Sequence, residues 1–96
     1  MKNLAKYIRC ESITHAYHLF NDAVKEYRNG IRMTYRGPRI LEIHFKSEAA
    51  LYFVAECHWD SVMKGKQYYT EISGSEFEED LRRFREMRRV SSFWPI

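Results

Sequence analysis

The stretch that most constrains the fold is Ile31 to Phe45, IRMTYRGPRILEIHF, in which two alternating runs flank Arg36-Gly37-Pro38. In the first run Ile31, Met33 and Tyr35 share one side of an extended chain and Arg32, Thr34 and Arg36 the other. In the second, Leu41, Ile43 and Phe45 form an apolar side while Glu42 and His44 point away. Two period-two runs joined by a short Gly-Pro break read as a β-hairpin with one dry face and one charged face. A sheet written this way is antiparallel, with helices on one side and solvent on the other.

The rest of the chain is read outward from that hairpin. Asn3 to Arg9 is a short strand candidate, although its imperfect alternation also fits an N-terminal helical turn. From Ser12 the apolar positions Ile13, Ala16, Tyr17, Phe20, Ala23, Val24 and Tyr27 recur every three or four residues, the stripe of an amphipathic helix. Ser12 or Thr14 supplies its N-cap, and Asn29-Gly30 a left-handed stop. After the hairpin, Ser47 caps a second helix over 48–63, with Ala50, Leu51, Val54 and Cys57 inward and Gly65 as its end. Lys66 to Ser73 alternates again and gives another strand.

Ser75 and Glu78 are spaced as a capping box for a third helix over 76–89. Its acids, Glu76, Glu78, Glu79 and Asp80, gather at the N-terminal end and five arginines follow from Arg82 to Arg89, which complements the helix dipole. The order spells βαββαβ plus a helix, so the expected fold is α+β. It is a ferredoxin-like split βαβ arrangement of four antiparallel strands, with an added C-terminal helix and with helices 12–29 and 48–63 on one face.

At 96 residues the chain has room for one domain, and 45% hydrophobic with 16% aromatic residues is too apolar for a disordered one. Ala49 to Ala55 is the longest apolar run. It is far short of the ~20 residues of a membrane-spanning helix, and MKNLAKYIRCES lacks the apolar core of a signal peptide. A cytoplasmic location is expected, without membrane contact. Cys10 and Cys57 belong to no C-x-x-C pair and read as buried free thiols.

Catalytic constellations are sparse. His15 and His18, at i and i+3, could share a metal, but zinc sites take three or four protein ligands and no second pair completes one. Cys57 and His58 are neighbours about 100° apart on a helix and cannot serve each other as nucleophile and base. Glu56 and Asp60 form a solvated acidic face. No Gly-rich phosphate loop and no G-x-S-x-G elbow is present. A non-enzymatic role without metal or cofactor is expected.

Gly37 to Leu51, GPRILEIHFKSEAAL, resembles the third strand and second helix of RNA-recognition-motif domains. The resemblance implies a strand whose outward aromatic side chains stack on bases. The outward positions here hold Glu42 and His44.

Two binding readings follow. In the first, an inhibitor or adaptor docks on a larger protein partner, such as a nucleic-acid-handling complex, through Arg82, Arg85, Arg89, Phe93 and Trp94 of the arginine-rich helix and its Phe-Trp-Pro-Ile tail. Arginine and aromatics are the residues interfaces favour. In the second, RNA or single-stranded DNA lies on the open sheet face at Arg32, Arg36, Arg39, His44 and Tyr69. The net charge of +3 is small and Glu42 and Glu71 interrupt that face, so the protein partner is the preferred reading.

Overall fold

The computed structural model describes the backbone of residues 5–93 and the side chains of residues 5–87. The elements are β1 (Ala5–Cys10), α1 (Ile13–Tyr27), a 3-10 turn (Arg28–Gly30), β2 (Ile31–Arg36), β3 (Leu41–Phe45), β4 (Ala50–Ala55), α2 (Glu56–Met63), β5 (Thr70–Ser73) and α3 (Gly74–Phe93). The five strands form one sheet in the order β2-β3-β4-β1-β5. Pairs β2/β3 and β3/β4 are antiparallel, whereas β1 runs parallel to both β4 and β5.

The sheet is therefore mixed, with five strands, and not the four-stranded antiparallel ferredoxin-like sheet that the element order suggests. The difference arises at 48–63, where one helix was expected and a strand followed by a shorter helix is found. Glu48 adopts φ 74° and turns the chain back, its N–H bonded to the Phe45 carbonyl, while the Phe45 N–H is donated to the Ala49 carbonyl. This closes a tight hairpin with a left-handed residue at its end. Ala50–Ala55 then enters the sheet centre, buried at every position but Tyr52. A central strand covered on both sides is continuously apolar, and such a run has no period to separate it from a buried helix.

The helix ends follow simple capping chemistry. The Ser12 hydroxyl accepts the His15 N–H at 3.0 Å. At α3 the cap is Ser73, whose hydroxyl accepts the Glu76 N–H at 3.1 Å, two residues before the serine of the expected capping box. The expected left-handed stop at Asn29-Gly30 is a 3-10 turn, and Gly65, at φ +82°, follows the end of α2.

Side-chain alternation assigns the two faces. Ile8 and Cys10 of β1, Leu41 and Ile43 of β3, and Leu51 and Phe53 of β4 pack beneath Ala16, Leu19, Phe20 and Ala23 of α1 and Phe77 and Leu81 of α3. Phe53 stands edge-on to Phe20 and Phe77 at 5.9 and 5.2 Å between centroids. On the opposite face Val54 packs with Trp59 and Met63 of α2, bordered by Tyr7, Ile40 and Tyr69. The second helix thus lies across the sheet from α1 and not beside it. The second strand of the hairpin agrees with the sequence: Leu41 and Ile43 are buried among the core residues, and Glu42 and His44 face the other way.

Candidate functional site

The residues expected to form a nucleic-acid surface are dispersed. A register shift between Ile31 and Met33 inserts Arg32 as an extra residue, and every later position of β2 changes side. Thr34 and Arg36 pair with Ile43 and Leu41 and so lie on the helix face, where the Arg36 guanidinium stands 5.1 Å from the Phe20 ring centroid. The same shift brings Met33 and Tyr35 to the open face, opposite His44 and Glu42. Arg39 donates to the Ser61 hydroxyl of α2 at 2.9 Å. His44 and Tyr69 stay on the open face, with the His44 Nε2–H donated to Glu42 Oε1 at 2.7 Å.

What that face presents is a band of rings. Its paired positions run Tyr35, Glu42, Tyr52, Tyr7, Glu71 across all five strands. Tyr7 and Tyr52 stack at 4.7 Å between centroids, His44 stands edge-on to Tyr52 at 5.8 Å, and Tyr69 meets Tyr7 at 5.8 Å and Trp59 at 6.3 Å. Burial, with the Glu42 charge as a further cause, raises both the Tyr7 and the Tyr52 phenol above the ordinary value. Both therefore stay protonated at neutral pH. Met33 and Tyr35 at the β2 edge are 44% and 49% exposed, a large apolar and aromatic surface for one short strand.

Charge on the band is arranged around Arg9. Its guanidinium bonds Glu56 at 2.5 and 2.7 Å, approaches Glu71 at 3.5 Å and lies 4.7 Å from the Trp59 ring centroid. The bidentate bond to Glu56 raises the guanidinium pKa and lowers that of the carboxyl. One arginine, fully engaged, stands against three carboxylates.

The opposite face offers a cleft of about 420 Å³ between α1 and α3, lined by His15, His18, Asp22, Glu78, Arg82 and Arg85 among others. His15, Glu78, Arg82 and Arg85 are each engaged by another side chain. His15 Nδ1 accepts the Glu11 N–H at 3.2 Å and its Nε2–H is donated to Glu78 at 2.7 Å, so neither ring nitrogen is free to take a proton from a substrate. Arg85 reaches across to Glu26 at 2.6 Å, and Arg82 bonds Glu79 and Glu86 on its own helix. Among the described residues no group of three or more His, Cys, Asp or Glu could hold a metal ion. No helix among them is long and apolar enough to cross a membrane. Burial pushes the Cys10 thiol up to about 12, whereas Cys57, expected inward, is exposed at the start of α2.

Of the partner-binding residues expected on α3, Arg82 and Arg85 are exposed as the sequence indicates. The side chains of Arg89 and Phe93, and Trp94 altogether, lie outside the described residues. Tyr7, Tyr35, Tyr52 and Glu42 were missing from either expected site. Tyr52 sat within an expected helix and Tyr35 on the expected dry side of its strand, and the tyrosine content of 7 was the signal that could have drawn attention to them. Comparison with known proteins finds no family model, no curated protein and no solved structure that matches this chain.

Proposed function

We propose that this chain is a non-enzymatic protein-binding module, an adaptor or inhibitor, that docks on a larger protein through the tyrosine face of its sheet. The observation that carries this reading is the ring band itself: His44, Tyr52, Tyr7, Tyr69 and Trp59 in successive contact, with Tyr35 and Met33 standing free at one end. Tyrosine gives large contact area with little rotamer entropy to lose and a hydroxyl for a polar partner, which is why interfaces select it. Strand pairing positions Tyr7, Tyr35, His44 and Tyr52, and α2 positions Trp59. Phosphate is disfavoured there, because Glu42, Glu56 and Glu71 outweigh an Arg9 already bound to two of them.

A second reading keeps the arginine-rich helix. Arg83 and Met87 of α3 are both largely exposed, and Met87, at 69%, adds an apolar contact beside the guanidinium groups. Affinity capture from a nuclease-treated extract discriminates the surfaces. Loss of the captured protein with Tyr35→Ala and Tyr52→Ala together, and retention with Arg82→Glu and Arg85→Glu, assigns docking to the tyrosine face. The reverse pattern assigns it to α3, and capture abolished by nuclease alone returns the role to nucleic acid.

A further inference from the structure

We propose that the tyrosine face recognises a guanidinium, so that its occupant is an arginine-bearing segment of the protein partner; this rests on the docking reading above. The molecule displays the filled form of such a site at one end of the band. There Arg9 lies over the Trp59 ring while Glu56 and Glu71 take its N–H groups. A ring face and a carboxylate acting together bind a guanidinium through its π-attraction and its planar fork of donors.

The other end repeats those parts without an arginine. Glu42 is flanked across the strands by Tyr35 and Tyr52, with Tyr7 beyond. Its side chain is 23% exposed, enough for access and low enough that its charge is incompletely solvated. Oε1 accepts from His44, and among the described residues Oε2 has no protein hydrogen-bond donor. No lysine or arginine among them is paired with Glu42. Along the band Glu42, Glu56 and Glu71 stand against Arg9, so its local charge attracts a cationic segment.

The probe is a short fluorescent peptide of alternating arginine and serine, followed by anisotropy, with amide shifts of the labelled protein to locate it. Controls are the same peptide with citrulline in place of arginine and a thymidine oligonucleotide. The arginine peptide should shift Tyr7, Met33, Tyr35, Glu42, His44 and Tyr52, and the citrulline peptide should not. Glu42→Gln should weaken binding by about tenfold, the loss of one charge-assisted hydrogen bond. Tyr35→Leu, at an exposed position, should weaken it by a smaller factor without touching the core.

Equal binding of the citrulline peptide, an unchanged affinity in Glu42→Gln, or tighter binding of the oligonucleotide to the same residues overturns the proposal. The two levels separate cleanly. If Glu42→Gln is silent but the double tyrosine variant still loses the captured protein, the guanidinium reading falls and docking on this face stands. If the double variant keeps the captured protein, the docking reading falls with it.

Discussion

The two faces of the sheet are built from alternate residues of the same strands, yet they meet different demands. Toward α1 and α3, Ile8, Cys10, Ile43 and Phe53 are no more than about 1% exposed, and the rings of Phe20, Phe53 and Phe77 interlock. Toward the other side, Tyr7, Glu42, His44 and Tyr52 are half-buried, stacked and hydrogen-bonded, with a carboxylate within the row. One face is packed against its own chain along its length, and the other is covered by α2 only around Val54, leaving the row from Tyr52 to Tyr35 pre-ordered and partly exposed. Stability and recognition are thereby assigned to neighbouring positions, and substitutions one residue apart should separate them.

The largest effect expected is on the packed face. Phe53→Ala removes a ring held between two others and should cost about 3–5 kcal/mol in urea denaturation. Tyr52→Ala, its sequence neighbour on the other face, should cost less than half as much. Equal losses would mean that both faces are core and that the contrast drawn here is mistaken.

How much of this was legible depended on whether local chemistry or tertiary context decided each segment. The hairpin register of Leu41, Ile43 and Phe45 against Glu42 and His44 followed from alternation, and α1 from its stripe and its Ser12 cap. Residues 50–55 of the expected helix were not legible, although 56–63 is helical as expected, because Ala50, Leu51 and Val54 satisfy helical spacing as well as the demands of a strand buried on both faces. A sheet partner, β1, decided between them, and its parallel pairing is invisible locally. The bulge at Arg32 had no sequence marker of the usual kind, such as glycine, and it alone moved Arg36 away from the open face and Tyr35 onto it.

The seam between α1 and α3 tests the packed face at its rim. A Cβ on Gly74 would fall 2.5 Å from Cε1 of His15, whose ring is fixed by Glu11 and Glu78. Gly74→Ala must displace that ring or the start of α3, and a cost of about 1–3 kcal/mol is expected, typical of overpacking. Loss of the His15 to Glu78 bond, seen as a shift of the His15 ring resonances, should accompany it. An unchanged melting temperature and unchanged resonances would show the seam to be looser than its geometry indicates.

Alkali should act on the same face through Cys10. Burial raises this thiol from 9.0 to about 12, so the folded state holds the proton that the unfolded chain releases. The contribution to stability is complete below pH 9 and is lost as pH rises from 9 toward 12. The urea midpoint should fall across that window, and fall less in Cys10→Ala. At neutral pH a thiol reagent should modify Cys57 readily and Cys10 only after denaturation. Two equally fast thiols would show that Cys10 is reached from solvent.

The smallest stability effect belongs to the open face, where it is the most informative. Tyr35 is half exposed, at the sheet edge, and makes no ring contact with the Tyr7 and Tyr52 stack. Its truncation to alanine should change unfolding free energy by no more than about 0.5 kcal/mol, the range of surface positions. Its ring nevertheless leans over Gly37, near enough that a Cβ there would meet Cε2 at 2.7 Å. A tyrosine has few rotamers to lose on docking, and its removal should lower partner capture far more than stability. Gly37→Ala sharpens the point, because it keeps the tyrosine while forcing the ring to move. If capture falls in Gly37→Ala as it does in Tyr35→Ala, the orientation of the ring matters as well as its presence. If Tyr35→Ala leaves capture unchanged, the band ends at Tyr52 and the β2 edge takes no part in recognition.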